Sequence, residues 1–171
     1  MGFNEALDLL SAQNEFIKYW IGREYKKDLK TKKDFEDLKN CAPKWENILK
    51  TYNDCRDSVI REIFYSGTVY RTHKNNEIFY NGYYVSWSTH RNKKIEDLHS
   101  NISDKEYVLK YVIPHNEYGF SILNWYKVMK KYNPRALSIF SKGDVITIRD
   151  ENEVVFPITK SMKHKIRIVN K

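Results

Sequence analysis

Apolar residues in the first third of the chain recur at helical intervals. Phe3, Leu7, Leu10, Ile17 and Ile21 are three or four residues apart, or a multiple of that, which predicts one amphipathic helix ending at Gly22. A second short helix is predicted over 33–38. Pro43 suits the first turn of a third, which carries Trp45, Leu49, Tyr52, Val59, Ile63 and Phe64 among charged residues. At Ser66-Gly67 the period shortens. Val69-Tyr70, Ile78-Phe79-Tyr80 and Tyr83-Tyr84-Val85 read as strands, and Asn81-Gly82 between the last two is a hairpin signal, because both turn positions tolerate positive φ. A strand over 107–113 is closed by Pro114. A helix follows over 121–131, with Ile122, Trp125 and Met129 on one face and Pro134 stopping it. Val145-Ile146-Thr147-Ile148 predicts a further strand, and 165–169 a closing one. Helices followed by mostly strands give an α+β fold, with an N-terminal helical region (1–66) forming one unit with a sheet core (67–171). No internal repeat, low-complexity tract or linker is visible.

Length and composition refine this picture. The 171 residues make one ordinary domain with room for a core. Cys41 and Cys55 fit neither a disulfide framework nor a zinc-ligand spacing, so no metal is expected, and a reduced, cytoplasmic setting is the simplest reading. No apolar run approaches a membrane span or a signal-peptide core, and Ala6 stands where myristoylation requires Ser or Thr. Charge is unevenly divided. Residues 1–66 hold twelve Lys/Arg and twelve Asp/Glu, whereas 67–171 hold eighteen and ten, so the whole net charge of +8 lies in the second part. Such a surface suits a polyanionic partner or serves solubility.

The stretch Glu151-Asn152-Glu153-Val154-Val155-Phe156-Pro157 carries the candidate chemistry. On a strand, Glu151 and Glu153 would stand side by side on one face, with Val154 and Phe156 on the other. Two like charges there repel and give up packing, which calls for something positive or reactive in front of them. The plainer reading is a polar turn leading into a hydrophobic strand. Upstream, Arg71 ends a first strand, and Ser86 and Ser88 lie in the next.

Taken together, Val69-Tyr70-Arg71, then Tyr84-Val85-Ser86-Trp87-Ser88-Thr89, then Glu151 to Pro157 resemble the arginine–serine–glutamate class of mono-ADP-ribosyltransferases, the fold shared by several bacterial toxins and vertebrate ecto-enzymes. The resemblance covers about residues 67–171 and implies a split β-sheet core that uses NAD as co-substrate. In it, Arg71 clamps the NAD pyrophosphate from the mouth of a cleft, a task suited to a planar guanidinium fork. Ser86 braces the catalytic carboxyl or a ribose hydroxyl. Glu153 stabilises the oxocarbenium-like ribose as nicotinamide leaves, and Glu151 orients the acceptor nitrogen and takes its proton. Tyr70, Ser88, His90 and Arg91 complete the NAD-binding set, the last two within a charged loop that also reads as a solvated one. Taken singly, Arg71 reads equally as a surface arginine and Ser86 as a strand serine facing water. Two departures stand out: Trp87 lies between the serines where the family has a small residue, and the nearest aromatic upstream of the acids is Phe140.

The implied activity is that of an intracellular, toxin-like effector held in check by an inhibitory partner, docked on 1–66 or across the cleft. For the acceptor, the basic second part and the acid-free tail with Lys160, Lys163, Lys165, Arg167 and Lys171 favour an RNA or DNA base, while the paired acids suit protein arginine. A different class of reading is a non-catalytic module in which aromatic and basic residues stack and hold single-stranded nucleic acid.

Overall fold

The computed structural model of the chain describes residues 1–23, 32–73, 80–90 and 107–169, without the side chains of Lys32, Lys33, Thr72, His73 and Tyr107. The first apolar stripe is two helices, α1 (Phe3–Ser11) and α2 (Asn14–Ile21). The break follows Ser11, whose hydroxyl turns back onto the Leu7 carbonyl at 2.6 Å, a bond that loosens a helix end. Leu7, Leu10, Ile17 and Ile21 are all buried as the periodicity requires.

The second and third predicted helices are one, α3 (Lys32–Asp54), with Pro43 inside it. Asp34, Leu38, Cys41, Trp45 and Ile48 are buried at three- and four-residue steps that run unbroken past the proline. Pro43 and Lys39, whose carbonyl loses its helical donor, both face solvent, so water can serve that carbonyl and the packed stripe outweighs the proline penalty. A single turn, α4 (Ser58–Arg61), is capped by the Asp57 carboxylate, which accepts from the Val59 and Ile60 amides.

The strands are β1 (Phe64–Tyr65), β2 (Gly67–His73), β3 (Tyr84–Ser88), β4 (Tyr107–Ile113), β5 (Gly119–Ser121), β6 (Glu153–Pro157) and β7 (Arg167–Val169). They form one antiparallel sheet in the order β1-β5-β6-β3-β2-β4-β7. The predicted strands over 107–113 and 165–169 are present, the latter shortened. The hairpin through Ile78 and Phe79 lies outside the described residues; Gly82, at φ +80°, gives its amide to the Ile158 carbonyl at 2.8 Å, beside β6.

Helix α5 (Ile122–Tyr132) matches its prediction and is capped by Ser121. The stretch Val145 to Ile148 does not form a strand. It lies in helix α6 (Lys142–Glu151), where Ser141 and Asp144 close a reciprocal capping box and Asn152 ends the helix in the left-handed conformation (φ 44°, ψ 54°). The start and stop signals override the local strand preference of Val-Ile-Thr-Ile.

Both faces of the sheet are covered on the β6 side. Trp20 of α2 meets Trp45 of α3 edge-on at 5.0 Å between centroids, and Trp45 packs on Phe120 of β5 at 5.5 Å. The opposite face buries Val69, Trp87, Leu109, Tyr111 and Phe156. Toward β4 only this second face is closed: Leu109, Tyr111 and Ile113 are buried while Val112 is 55% exposed. A single cluster of buried residues runs from Ala6 to Met162, so residues 1–66 share the core of the sheet. Among the described residues, no helix is long and apolar enough to cross a membrane.

Candidate active site

Glu153 is the first residue of β6, and the chain reaches it through a turn that β3 holds from the side. The Ser88 hydroxyl donates to the Glu151 carbonyl (2.9 Å), the Thr89 amide donates to the Asn152 carbonyl (3.3 Å), and the Asn152 amide nitrogen lies 2.8 Å from His90 Nε2. Asn tolerates the left-handed backbone that converts helix to strand in one residue. Glu151 therefore does not stand beside Glu153 on a strand, as the sequence predicts. It is the last residue of α6, half-buried, and the two carboxyls come from two elements separated by a reversal of the chain.

Register then brings β3 against β6, with Ser88 opposite Glu153 and Ser86 opposite Val155. Ser86, Ser88 and Glu153 share one face. The Ser86 hydroxyl donates to Glu153 Oε1, and so does the Trp20 indole N–H, at 2.7 Å. The carboxyl is 3% exposed. A buried carboxyl oxygen that receives one donor from helix α2 and another from strand β3 is held in one orientation.

Arg71 joins from the neighbouring strand. Among the described residues, β2 and β3 share one register pair, Tyr70 opposite Ser88, whereas β2 follows β4 over seven. Beyond that pair the Arg71 guanidinium donates through Nη1 to the Ser86 carbonyl at 2.7 Å, linking strands that no longer share a ladder. Alternation along β2 puts Arg71 with Val69 on the buried face and Tyr70 on the face of Ser88 and Glu153. At 6% exposed, Arg71 is not at the mouth of a cleft, as the sequence predicts: it reaches the site from the far side of the sheet and stops at the Ser86 backbone.

The structure thus brings Arg71, Ser86 and Glu153 into one hydrogen-bonded string and sets Tyr70 and Ser88 beside it. His90 is exposed and fixes the turn at Asn152; Arg91 lies outside the described residues. Sequence reasoning missed Trp20. It lies three and four residues after Ile17 and Phe16 on the same helix face, so its burial was legible, and a buried indole N–H requires an acceptor. Arg23 was missed with it. Its guanidinium carbon lies 3.3 Å from the centroid of the Trp20 ring, Nε donates to the Trp20 carbonyl at 3.3 Å, and Nη1 meets Asp37 of α3 at 3.5 Å. On the other side of α2, Lys18 bonds Asp144 of α6 at 2.7 Å. That bond, aided by Ser141, holds the Asp144 carboxyl below its ordinary range. The helix that covers Glu153 is pinned at two points. Compared with the models of known protein families, with curated proteins and with solved structures, the chain matches none.

Proposed function

We propose that this protein is an NAD-dependent mono-ADP-ribosyltransferase, a toxin-like effector of the cytoplasm, described here in a closed state. The observation that supports the reading is the hydrogen-bonded string Arg71–Ser86–Glu153, which joins the consecutive strands β2 and β3 to β6, distant in the chain. The single register pair between β2 and β3 is compatible with the split sheet that the sequence resemblance implies. In the reaction, the nicotinamide–ribose bond breaks with its electron pair going to the pyridinium nitrogen, which leaves as neutral nicotinamide. An acceptor nitrogen bonds to the ribose carbon and loses a proton. Glu153, with Ser86 fixing its orientation, stabilises the cationic ribose, and Glu151 takes the proton.

Arg71 in its buried position holds β3 through the Ser86 carbonyl, and engaging a pyrophosphate requires β2 and β3 to part further. For a ribose to reach Glu153, the Trp20 indole must withdraw. An inhibitory partner that docks on residues 1–66 would act by keeping α2 in place. The preferred acceptor is a nucleic-acid base, of RNA or DNA, because all the excess positive charge lies in residues 67–171. Protein arginine is the competing acceptor.

The test is nicotinamide release from NAD by the purified protein, with and without total RNA. Glu153→Gln retains an acceptor for Trp20 and Ser86, so it is expected to fold normally and to lose roughly a hundred- to a thousandfold in rate. Equal release by wild type and this variant, or none by either, sinks the reading and leaves a binding module.

A further inference from the structure

The registers of four strand pairs line up on one another. Glu153 is opposite Ser88, Ser88 opposite Tyr70, Tyr70 opposite Lys110, and Lys110 opposite Arg167, so one residue from each of β6, β3, β2, β4 and β7 makes a row across the same face. Four strand spacings of about 4.8 Å make it roughly 19 Å long. It begins at the buried carboxyl under Trp20, passes half-buried Tyr70, and ends on two cations.

That end is unusual for a sheet. Like charges directly opposite each other destabilise a strand pair. Among the described residues, neither Lys110 nor Arg167 meets a carboxylate. Both line a groove of about 460 Å³ with Tyr111, Val112, His164 and Lys165, so four of its described lining residues are basic and none is a carboxylate. Val112, at 55% exposed, leaves an apolar surface beside the cations. A polyanion that also carries apolar rings matches this combination. An extended strand of nucleic acid has both, since its phosphates pair with cations while its unpaired bases stack on aromatic rings.

We propose that single-stranded RNA lies along this row, with phosphates on Lys110, Lys165 and Arg167 and a base against Tyr70, so that the following base is led toward Glu153. The last step rests on the transferase reading; the binding does not. RNA is the strand of choice because aromatic readers of RNA act on unpaired bases, which loops and tails supply in quantity.

Filter binding of a labelled single-stranded oligoribonucleotide across a salt series is the test, with a deoxyribonucleotide strand of the same sequence and an acidic peptide as competitors. In Lys110→Gln/Arg167→Gln the affinity is expected to fall at least tenfold at low salt. The slope of log affinity against log salt flattens by about 1.4, as losing two phosphate contacts on a single strand requires. Tyr70→Leu is expected to lower affinity about tenfold with the slope unchanged, which separates stacking from charge. Thermal unfolding of each variant excludes misfolding as the cause. Unaltered affinity in the double variant, preference for the DNA strand, or displacement by the peptide as effective as by RNA overturns the proposal. Nicotinamide release by Glu153→Gln, measured in parallel, tells the two failures apart: full release with intact groove binding removes only the transferase, whereas lost release with no groove binding removes only the RNA path.

Discussion

The Trp20 indole donates its hydrogen to the Glu153 carboxyl at 2.7 Å, joining residues 133 positions apart. This bond places the N-terminal helices directly on the group expected to do the chemistry. Trp20→Phe keeps most of the packing and removes the donor. It is expected to cost about 1–3 kcal/mol in urea unfolding, because the carboxyl is left short of a partner. Nicotinamide release is expected to rise, since the lid is less firmly attached. A fall in release with stability unchanged would mean that Trp20 serves the open state instead.

Arg71→Lys tests the strand link. A lysine can replace the charge but not the planar fork, and it reaches the Ser86 carbonyl with a single flexible ammonium. Stability is expected to drop by about 1–3 kcal/mol, with nicotinamide release reduced as Ser86 loses its fixed position. Arg71→Gln should cost at least as much.

Gly119 of β5 sets the seat of β6. A Cβ there would stand 2.5 Å from Val154 Cγ1 and 3.0 Å from the Val155 carbonyl oxygen. The carbonyl belongs to the ladder and cannot turn away. Gly119→Ala is therefore expected to destabilise by about 1–3 kcal/mol and to lower activity by shifting Glu153. Chemical unfolding and nicotinamide release, compared with Gly2→Ala, where a Cβ meets nothing within 4 Å, provide the check.

Much of the fold was legible because burial and period agree along the chain. The alternation over β4 and the stripe of α5 needed no tertiary information. Three features did not yield to local reading. Pro43 reads as a helix start because the penalty for an internal proline is local, whereas the packing of Leu38, Cys41 and Trp45 that outweighs it is not. Val145 to Ile148 have strand-like side chains, and the capping box at Ser141 and Asp144 that makes them helical lies outside that apolar run. Trp20 lay in plain view on an amphipathic stripe, yet its partner is fixed only by how α2 settles on the sheet. A resemblance between motifs singles out Arg71, Ser86 and Glu153; the burial of Arg71 is not legible there, because exposure depends on everything packed around it.

Asp144 and Tyr84 each make stability depend on pH. Asp144 has its pKa lowered in the fold, so its contribution is present above the ordinary 3.8 and is lost as pH falls through the depressed value. Below pH 4 the Lys18–Asp144 clamp on α2 should weaken, by up to about 1 kcal/mol for so accessible a pair, and Lys18→Met should reduce that dependence to the part due to Ser141. Tyr84 moves the opposite way. Burial, with Glu46 adding to it, pushes the phenol up to about 12, so its stabilisation is complete below pH 10 and is lost as pH rises through 12. Glu46→Gln removes the smaller of the two causes, so its alkaline unfolding, monitored by circular dichroism, is expected at slightly higher pH than that of the wild type.

All four tryptophans of the chain, Trp20, Trp45, Trp87 and Trp125, are fully buried. Their combined emission should accordingly lie at the blue end of the tryptophan range, against which one indole entering water shows as a shift to longer wavelength. On the proposed reading Trp20 is the indole that withdraws, so opening of the site is expected to show in the colour of that light without an attached dye, followed in real time as NAD is added.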